Sequence, residues 1–119
     1  CTQGSAELLS INWQHIGVTG GRVAYEGTSV AKIGLNSLVG HACRELATRV
    51  AGALPGLAGF VGIDVVWHRE RGPVVIEVNP RVTCAYIELS AYLKTPLAAR
   101  ILAAHCADKL TSNGDAHAA

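Results

Sequence analysis

The segment VVIEVNPRVT, residues 74–83, combines an apolar strand with polar side chains near its end. Its apolar residues recur at every second position, as they do along one face of a β-strand: Val74, Ile76 and Val78. Glu77 and Asn79 fall on the opposite face, and Arg81 follows just beyond the strand. Such a strand can bury one face and present reactive groups on the other.

The preceding segment GFVGIDVVWH, residues 59–68, predicts a partner strand, and RERG predicts the turn between the two. A turn centred between Glu70 and Arg71 lays the apolar residues of both strands on one core face. This register makes the following pairs: Ile63 with Val78, Val65 with Ile76, and Trp67 with Val74.

The same register places Asp64 opposite Glu77. It also places Gly62 opposite Asn79, and a glycine at that position leaves space beside the acids. Opposed residues have Cβ atoms about 4.5–5.5 Å apart, and like charges at that distance repel. Two such carboxylates need a proton, a cationic partner or a metal ion. Oxygen ligands without a nearby His or Cys favour Mg²⁺ or Mn²⁺ over zinc. Arg81 can bind a phosphate or a carboxylate through its forked guanidinium group.

A second interpretation gives these residues no site. Asp64 and Glu77 can lie on a solvated sheet face, with Asn79-Pro80 as an ordinary turn. Their charges would then be neutralised by nearby arginines: Arg69, Arg71 and Arg81. Both interpretations stay open from the residues alone.

Upstream, the segments SAELLSINWQHIGV and RVAYEGTSVAKIG predict a first hairpin around Thr19-Gly20-Gly21. Residues 36–54 then predict a helix, capped by Asn36 or Ser37 and ended by Pro55-Gly56. Its expected inward residues recur every four positions: Leu38, Ala42, Leu46, Val50 and Leu54.

Two more helices are predicted after Arg81. The first is short and lies near AYIELSAYL, residues 85–93. The second has Thr95 as its cap and Pro96 in its first turn. It should direct three residues inward: Leu97, Ile101 and Leu102. The order of elements indicates an α+β fold, mainly an antiparallel sheet with helices packed on one face. We expect one subdomain over residues 1–110 and a flexible polar tail over 111–119.

Composition limits the function classes. Half of the 119 residues are hydrophobic and 16% are charged, which fits a globular domain. The net charge of +1 gives no basic surface for nucleic acid or anionic membrane. No apolar run approaches the roughly 18–20 residues needed to span a bilayer. Four separated cysteines and five scattered histidines show no metal-ligand spacing, and free thiols suggest a cytoplasmic protein.

The segment GFVGIDVVWHRERGPVVIEVNPRVTCAYIEL, residues 59–89, resembles the C-terminal metal-binding hairpin of ATP-grasp enzymes. That hairpin has a glycine and an aspartate on one strand, and Glu-x-Asn with Pro or Arg on the next. The resemblance covers about residues 58–103. The upstream segments LLSINWQHI and YEGTSV resemble the tyramine–glutamate ligase-like carboxylate–amine ligases, a branch linked to methanofuran synthesis.

The resemblance implies a role for each polar residue of the hairpin. Asp64 would bind one Mg²⁺, Glu77 would bridge two ions and Asn79 would bind the second. Arg81 would contact the transferred phosphoryl group or the acyl phosphate. In this family ATP phosphorylates a substrate carboxylate, and an amine or another nucleophile then displaces phosphate. Tyr25 and Glu26 are better interpreted as an ordinary strand end with a turn, and the alternative places them near an amine-substrate pocket. Cys84 and Tyr86, which follow Arg81, are further candidates for lining the substrate pocket.

ATP-grasp enzymes also need an N-terminal substrate domain and a subdomain with lysines and a glycine-rich loop. Lys32 and Gly20-Gly21 are better interpreted as a solvated lysine and a hairpin turn. We therefore expect the C-terminal part of a longer ligase, inactive alone, whose partners are ATP, small carboxylate and amine substrates, and its own N-terminal part. A homo-oligomer is compatible with this expectation. The alternatives are a non-catalytic interaction or dimerisation module, and an ATP-grasp kinase.

Overall fold

Four strands and three helices form in residues 1–2 and 4–112, the part of the chain that the computed structural model describes. In chain order they are β1 (Ile11–Thr19), β2 (Arg22–Ile33), α1 (Leu38–Ala53), β3 (Gly62–His68), β4 (Gly72–Asn79), α2 (Tyr86–Leu93) and α3 (Leu97–Ser112). β1 pairs with β2 and β3 pairs with β4, both antiparallel. The predicted α+β class is confirmed. The strands, however, form two separate two-stranded sheets where one antiparallel sheet was expected.

The first hairpin turns through two glycines. Thr19 pairs with Arg22, so that only Gly20 and Gly21 lie between the strands. Their φ angles are 58° and 75°. Positive φ at both central residues is the backbone of a type I′ turn, and glycine adopts it without a steric penalty. The predicted hairpin and its glycine turn are confirmed.

α1 begins at a serine cap. The Ser37 hydroxyl oxygen accepts a hydrogen bond from the Gly40 N–H at 3.0 Å, and this satisfies a donor that the first helical turn cannot pair. The helix ends at Ala53, just before the predicted Pro55-Gly56. The start and end of this helix therefore agree with the sequence prediction to within two residues.

The buried face of α1 differs from the predicted one. Its buried residues are Gly40, Cys43, Leu46, Ala47 and Ala51. Of the predicted row only Leu46 is buried, and Leu38 is 88% exposed. A row with a spacing of four advances about 40° at each step, so five members spread over about 160° and cannot share one face. The helix instead buries a stripe of mostly small residues, which lets its backbone approach its neighbours closely.

The two C-terminal helices lie where they were predicted. Leu89 of α2 is 2% exposed and Leu97 of α3 is 1% exposed, so each helix has an anchor in the core. Ile101 is half-buried, as expected, whereas Leu102 is 65% exposed. Leu102 lies about 140° from Leu97 around the helix, so the prediction that both point inward is wrong. α3 continues to Ser112, and from residue 113 onward the predicted tail lies outside the described residues.

Among the helices, α1 contacts β4 and α2 contacts β2. Beside the glycine turn of the first hairpin, Val18 and Val23 are 70% and 72% exposed. None of the helices in the described part of the chain is long and apolar enough to cross a membrane.

Candidate functional site

The predicted pairing at the open end of the second hairpin is confirmed. Three pairs agree with it: Gly62 with Asn79, Ile63 with Val78, and Asp64 with Glu77. The Asp64 and Glu77 carboxylates therefore occupy directly opposed positions on neighbouring strands. Asn79 lies two residues farther along β4, on the same face as Glu77. The structure thus brings together the three oxygen-bearing side chains that the sequence singled out.

The pairing changes immediately after these residues. The register shifts between Asp64 and Val65, so that Val65 pairs with Val75 and not with Ile76 as predicted. Ile76 is then an extra residue on β4, which is the definition of a β-bulge. A bulge bends its strand and redirects the neighbouring side chains, and here it lies directly beside the carboxylate pair.

The turn of this hairpin accounts for the shift. His68 pairs with Gly72, so three residues form the turn and its centre is Glu70. The Nδ1 atom of His68 accepts hydrogen bonds from the N–H groups of Glu70 and Arg71 at 3.2 and 3.3 Å. A three-residue turn offsets one strand by a residue relative to the predicted turn, and the bulge restores the pairing at the open end.

The shift also changes which apolar side chains are covered. Three residues of the predicted core face are exposed: Val65 (37%), Trp67 (50%) and Ile76 (64%). The other three, Ile63, Val74 and Val78, are half-buried. The prediction of one buried apolar face is therefore wrong for the turn half of the hairpin, where the pairing is shifted and Val66 on the opposite face is 57% exposed as well.

No arginine neutralises the carboxylate pair in the described part of the chain. Asp64 is half-buried and Glu77 is exposed. Among the side chains of residues 1–2 and 4–106 an ion pair joins Arg100 to Glu7 at 2.6 Å, and none involves Asp64 or Glu77. The interpretation in which hairpin arginines balance these charges therefore finds no support in the described geometry.

Arg81 lies beside the pair but is directed elsewhere. Its backbone N–H donates to the Asn79 carbonyl oxygen at 2.8 Å, which turns the chain sharply at Pro80. Its Nη1 donates to the carbonyl oxygen of Val82 at 3.3 Å, and the side chain is exposed. The guanidinium group is therefore accessible to a ligand at the exit of β4.

Thr83 fills the space beside Gly62 that the sequence prediction had left open. A Cβ atom added at Gly62 would lie 2.6 Å from the Thr83 methyl group and 3.7 Å from the Cβ of Asn79. A glycine is needed here because the loop after β4 packs directly against this strand. The expectation of an open space beside the acids is thus wrong on this side.

The sequence did not single out Gln14, which contacts the acidic pair from the first hairpin. Its Nε2 donates a hydrogen bond to Oδ1 of Asp64 at 3.0 Å. The two residues are 50 positions apart and belong to strands of different sheets. No local pattern could have revealed the contact, because it depends on how the two hairpins pack.

Two further candidates for substrate contacts, Tyr25 and Cys84, lie close to each other. The Tyr25 hydroxyl lies 2.6 Å from the Thr28 hydroxyl and 3.9 Å from the Cys84 sulfur. Glu26, in contrast, lies across Gly17 of its own hairpin. Tyr25 and Cys84 therefore lie together near the loop that follows Arg81.

The donor set fits a hard divalent cation that is shared with a phosphate ligand. Within the described residues, no group of three or more His, Cys, Asp or Glu side chains is placed so that it could hold a metal ion by itself. Asp64, Glu77 and Asn79 offer two carboxylates and one amide oxygen. Mg²⁺ typically takes one or two carboxylates from a protein and completes its coordination with water and substrate phosphates.

A family model described as the ATP-grasp domain matches residues 1–85. The match includes both hairpins and all four candidate residues: Asp64, Glu77, Asn79 and Arg81. It extends further upstream than the segment that carried the resemblance in the sequence, and it stops before α2. It does not distinguish the tyramine–glutamate ligase-like branch, which stays a prediction. Comparison with curated proteins and with solved structures finds no match.

Proposed function

Because the chain belongs to the ATP-grasp family, we propose that it forms part of an ATP-dependent carboxylate–amine ligase and supplies that enzyme's metal ligands. The family indicates ATP-dependent ligase chemistry. The observation that carries the metal role is the pairing of Asp64 with Glu77, with no ion pair to either carboxylate from the side chains of residues 1–2 and 4–106. Two opposed carboxylates repel, and a divalent cation would relieve that repulsion.

In this proposal each polar residue at the open end of the hairpin has one task. Asp64 would hold one Mg²⁺ or Mn²⁺ ion, Glu77 would be shared between two ions and Asn79 would hold the second. Such cations would supply positive charge against the β- and γ-phosphates of ATP. Arg81, with an exposed guanidinium group, contacts the transferred phosphoryl group or the acyl phosphate.

The proposed reaction has two steps. A substrate carboxylate oxygen attacks the γ-phosphorus, which gives an acyl phosphate and ADP. An amine nitrogen then attacks the acyl carbon, phosphate leaves with the C–O electron pair, and the nitrogen releases a proton. The resemblance to tyramine–glutamate ligases suggests an amino acid as the acid and, as the acceptor, a primary alkylamine that carries an aromatic ring. The free thiols of Cys43, Cys84 and Cys106 support a reducing cytoplasmic location.

The test is the Glu77→Gln variant of the full-length protein, in calorimetric titrations of Mn²⁺ in the presence of ATP. We expect the metal-dependent binding of nucleotide to weaken strongly and turnover to fall by about 100-fold or more. The matched control is Glu70→Gln, which removes an exposed carboxylate from the turn of the same hairpin. Unchanged nucleotide binding and turnover in Glu77→Gln would sink the proposal.

A second experiment separates the ligase from its alternatives. Hydroxylamine converts an acyl phosphate to a hydroxamate, so a ligase incubated with ATP and its acid should give hydroxamate without the amine. A kinase acting on a hydroxyl group would give a stable phosphorylated product and no hydroxamate. An interaction module would consume no ATP in either assay.

A further inference from the structure

The two hairpins meet through a side-chain hydrogen bond at the acidic pair. Gln14 of β1 donates from Nε2 to Oδ1 of Asp64 on β3 at 3.0 Å. A second contact, 3.9 Å between the Tyr25 hydroxyl and the Cys84 sulfur, lies between β2 and the loop after β4. The Gln14 contact is the shorter of the two and acts directly on a proposed metal ligand.

Both strands are irregular at the point where this contact forms. The pairing of β1 with β2 shifts between His15 and Ile16, one residue after Gln14. The pairing of β3 with β4 shifts between Asp64 and Val65, directly after Asp64. Because bulges redirect the side chains next to them, a bulge in each hairpin adjoins the residue that reaches across to the other.

The chemistry of the amide suits a residue that orients a metal ligand. An arginine or lysine in place of Gln14 would neutralise the Asp64 carboxylate and compete with a cation for it. A glutamine N–H fixes the orientation of the carboxylate and leaves its charge intact. Among the side chains of residues 1–2 and 4–106, the hydrogen bond to Asp64 engages Oδ1 alone, so Oδ2 has no partner from those side chains.

We propose that Gln14 is a positioning residue, which holds Oδ1 of Asp64 so that Oδ2 stays available to the cation that Asp64 shares with ATP. The inference rests on the proposed function, because it requires Asp64 to be a metal ligand. It adds a residue from the other hairpin, and it makes the packing of the two hairpins a determinant of metal affinity.

The test compares Gln14→Leu and Gln14→Lys in the full-length protein. The readout is the binding of Mn²⁺ in the presence of a non-hydrolysable ATP analogue, measured by water-proton relaxation. Loss of an outer-shell partner typically weakens metal binding 10–100-fold, so we expect Gln14→Leu to raise the Mn²⁺ dissociation constant by about tenfold. Gln14→Lys should raise it further, because its ammonium group pairs with Asp64 and competes with the cation.

A purely structural role predicts the opposite order. If Gln14 only ties the hairpins together, Gln14→Lys keeps a donor to Asp64 and should restore both the thermal midpoint and the Mn²⁺ affinity. That result would overturn the proposal, and so would unchanged affinity in both variants. His15→Leu is the matched control, because His15 is the exposed neighbour of Gln14 and bonds to Ser29 within its own hairpin. It should leave the Mn²⁺ affinity unchanged.

Glu77→Gln, measured in the same assay, separates the two possible failures. If Glu77→Gln weakens Mn²⁺ binding and the Gln14 variants do not, the role of Gln14 is wrong and the metal site stands. If Glu77→Gln also leaves binding unchanged, the proposed function itself fails.

Discussion

The first turns of α1 and the open end of the β3–β4 hairpin are packed in opposite ways. At the start of α1, Gly40 is buried and lies so close to the backbone carbonyl groups of Gly34 and Leu35 that an added Cβ would overlap them. At the open end of the hairpin, two like charges oppose each other, and neither forms an ion pair with a side chain of residues 1–2 and 4–106. The start of α1 is therefore closely packed. The open end of the hairpin retains a repulsion between like charges, which close packing does not require.

This difference predicts which property a substitution in each region should change. Changes near α1 should alter the free energy of unfolding and leave the chemistry of the folded protein intact. Changes at the acidic pair should alter cation and nucleotide binding, with little loss of stability or even a gain. Both regions belong to the part of the chain that matches the ATP-grasp family.

Asp64→Asn should have the largest effect on function. It removes one of the two opposed charges, so turnover should fall by about 100-fold or more at fixed Mg²⁺. Without metal, relief of the like-charge pair should raise the free energy of unfolding by about 0.2–1 kcal/mol. Steady-state kinetics and urea denaturation measure the two effects. Glu45→Gln, on the exposed face of α1, is the control that should change neither. A destabilised Asp64→Asn with normal turnover would reverse the comparison.

Gly40→Ala should have the largest effect on stability. A Cβ atom added at Gly40 would overlap the backbone carbonyl groups of Leu35 and Gly34, which cannot move without unwinding the start of α1. Overpacking of this kind costs about 1–3 kcal/mol. Gly52, on the same helix, has no atom within 4 Å of an added Cβ. Gly52→Ala should therefore stabilise the chain by about 0.5–1 kcal/mol through helix propensity.

Urea denaturation of both glycine variants gives the comparison directly. Opposite signs support the view that Gly40 is required by close packing and Gly52 is not. If Gly40→Ala were as stable as the wild type, the region around α1 would be looser than the structure shows.

The sequence was sufficient for features set by neighbouring residues. The Gly20-Gly21 turn, the Ser37 cap and the pairing of Asp64 with Glu77 all follow from local backbone preferences or from the alternation of strand residues. These signals act over a few residues or across one tight hairpin. The geometry of the acidic pair was therefore predictable although its partners were not.

The features that the sequence missed depend on packing between distant segments. The bulge at Ile76 changes which residues of the second hairpin are exposed, and it follows from a three-residue turn that alternation alone does not reveal. The contact of Gln14 with Asp64 joins two sheets, and the contact of Thr83 with Gly62 depends on the path of the loop after β4. None of these leaves a periodic signal in the sequence.

Ser37→Ala should have a smaller effect than Gly40→Ala in the same region. It removes the oxygen that accepts the Gly40 N–H, and loss of such a cap typically costs about 1 kcal/mol. Ser37→Asp is the matched control, because it keeps an acceptor and adds a negative charge at a helix start that has no acidic residue in its first turn. It should retain wild-type stability in urea denaturation. Equal losses in both variants would mean that the cap does not stabilise α1.

The smallest expected effects concern two cysteine thiols, one in each of the two regions. Cys43 is buried in α1, and Cys84 is exposed beside the acidic hairpin. Cys84 should therefore react with a thiol reagent much faster than Cys43 under native conditions. Equal rates would show that the α1 region opens as readily as the hairpin loop.

The same burial makes stability depend on alkaline pH. Burial raises the pKa of the Cys43 thiol above its ordinary value of 9.0. As pH rises past that value, the thiol of the unfolded chain loses its proton before the thiol of the folded chain does. Ionisation therefore stabilises the unfolded state before it stabilises the folded state. The free energy of unfolding should then be unaffected well below this pH and fall above it. Urea midpoints at roughly pH 7 and roughly pH 10 should show a larger alkaline loss in the wild type than in Cys43→Ala, because only the wild type has this thiol to ionise. Equal losses in the two proteins would mean that the Cys43 thiol ionises as easily in the folded chain as in the unfolded one.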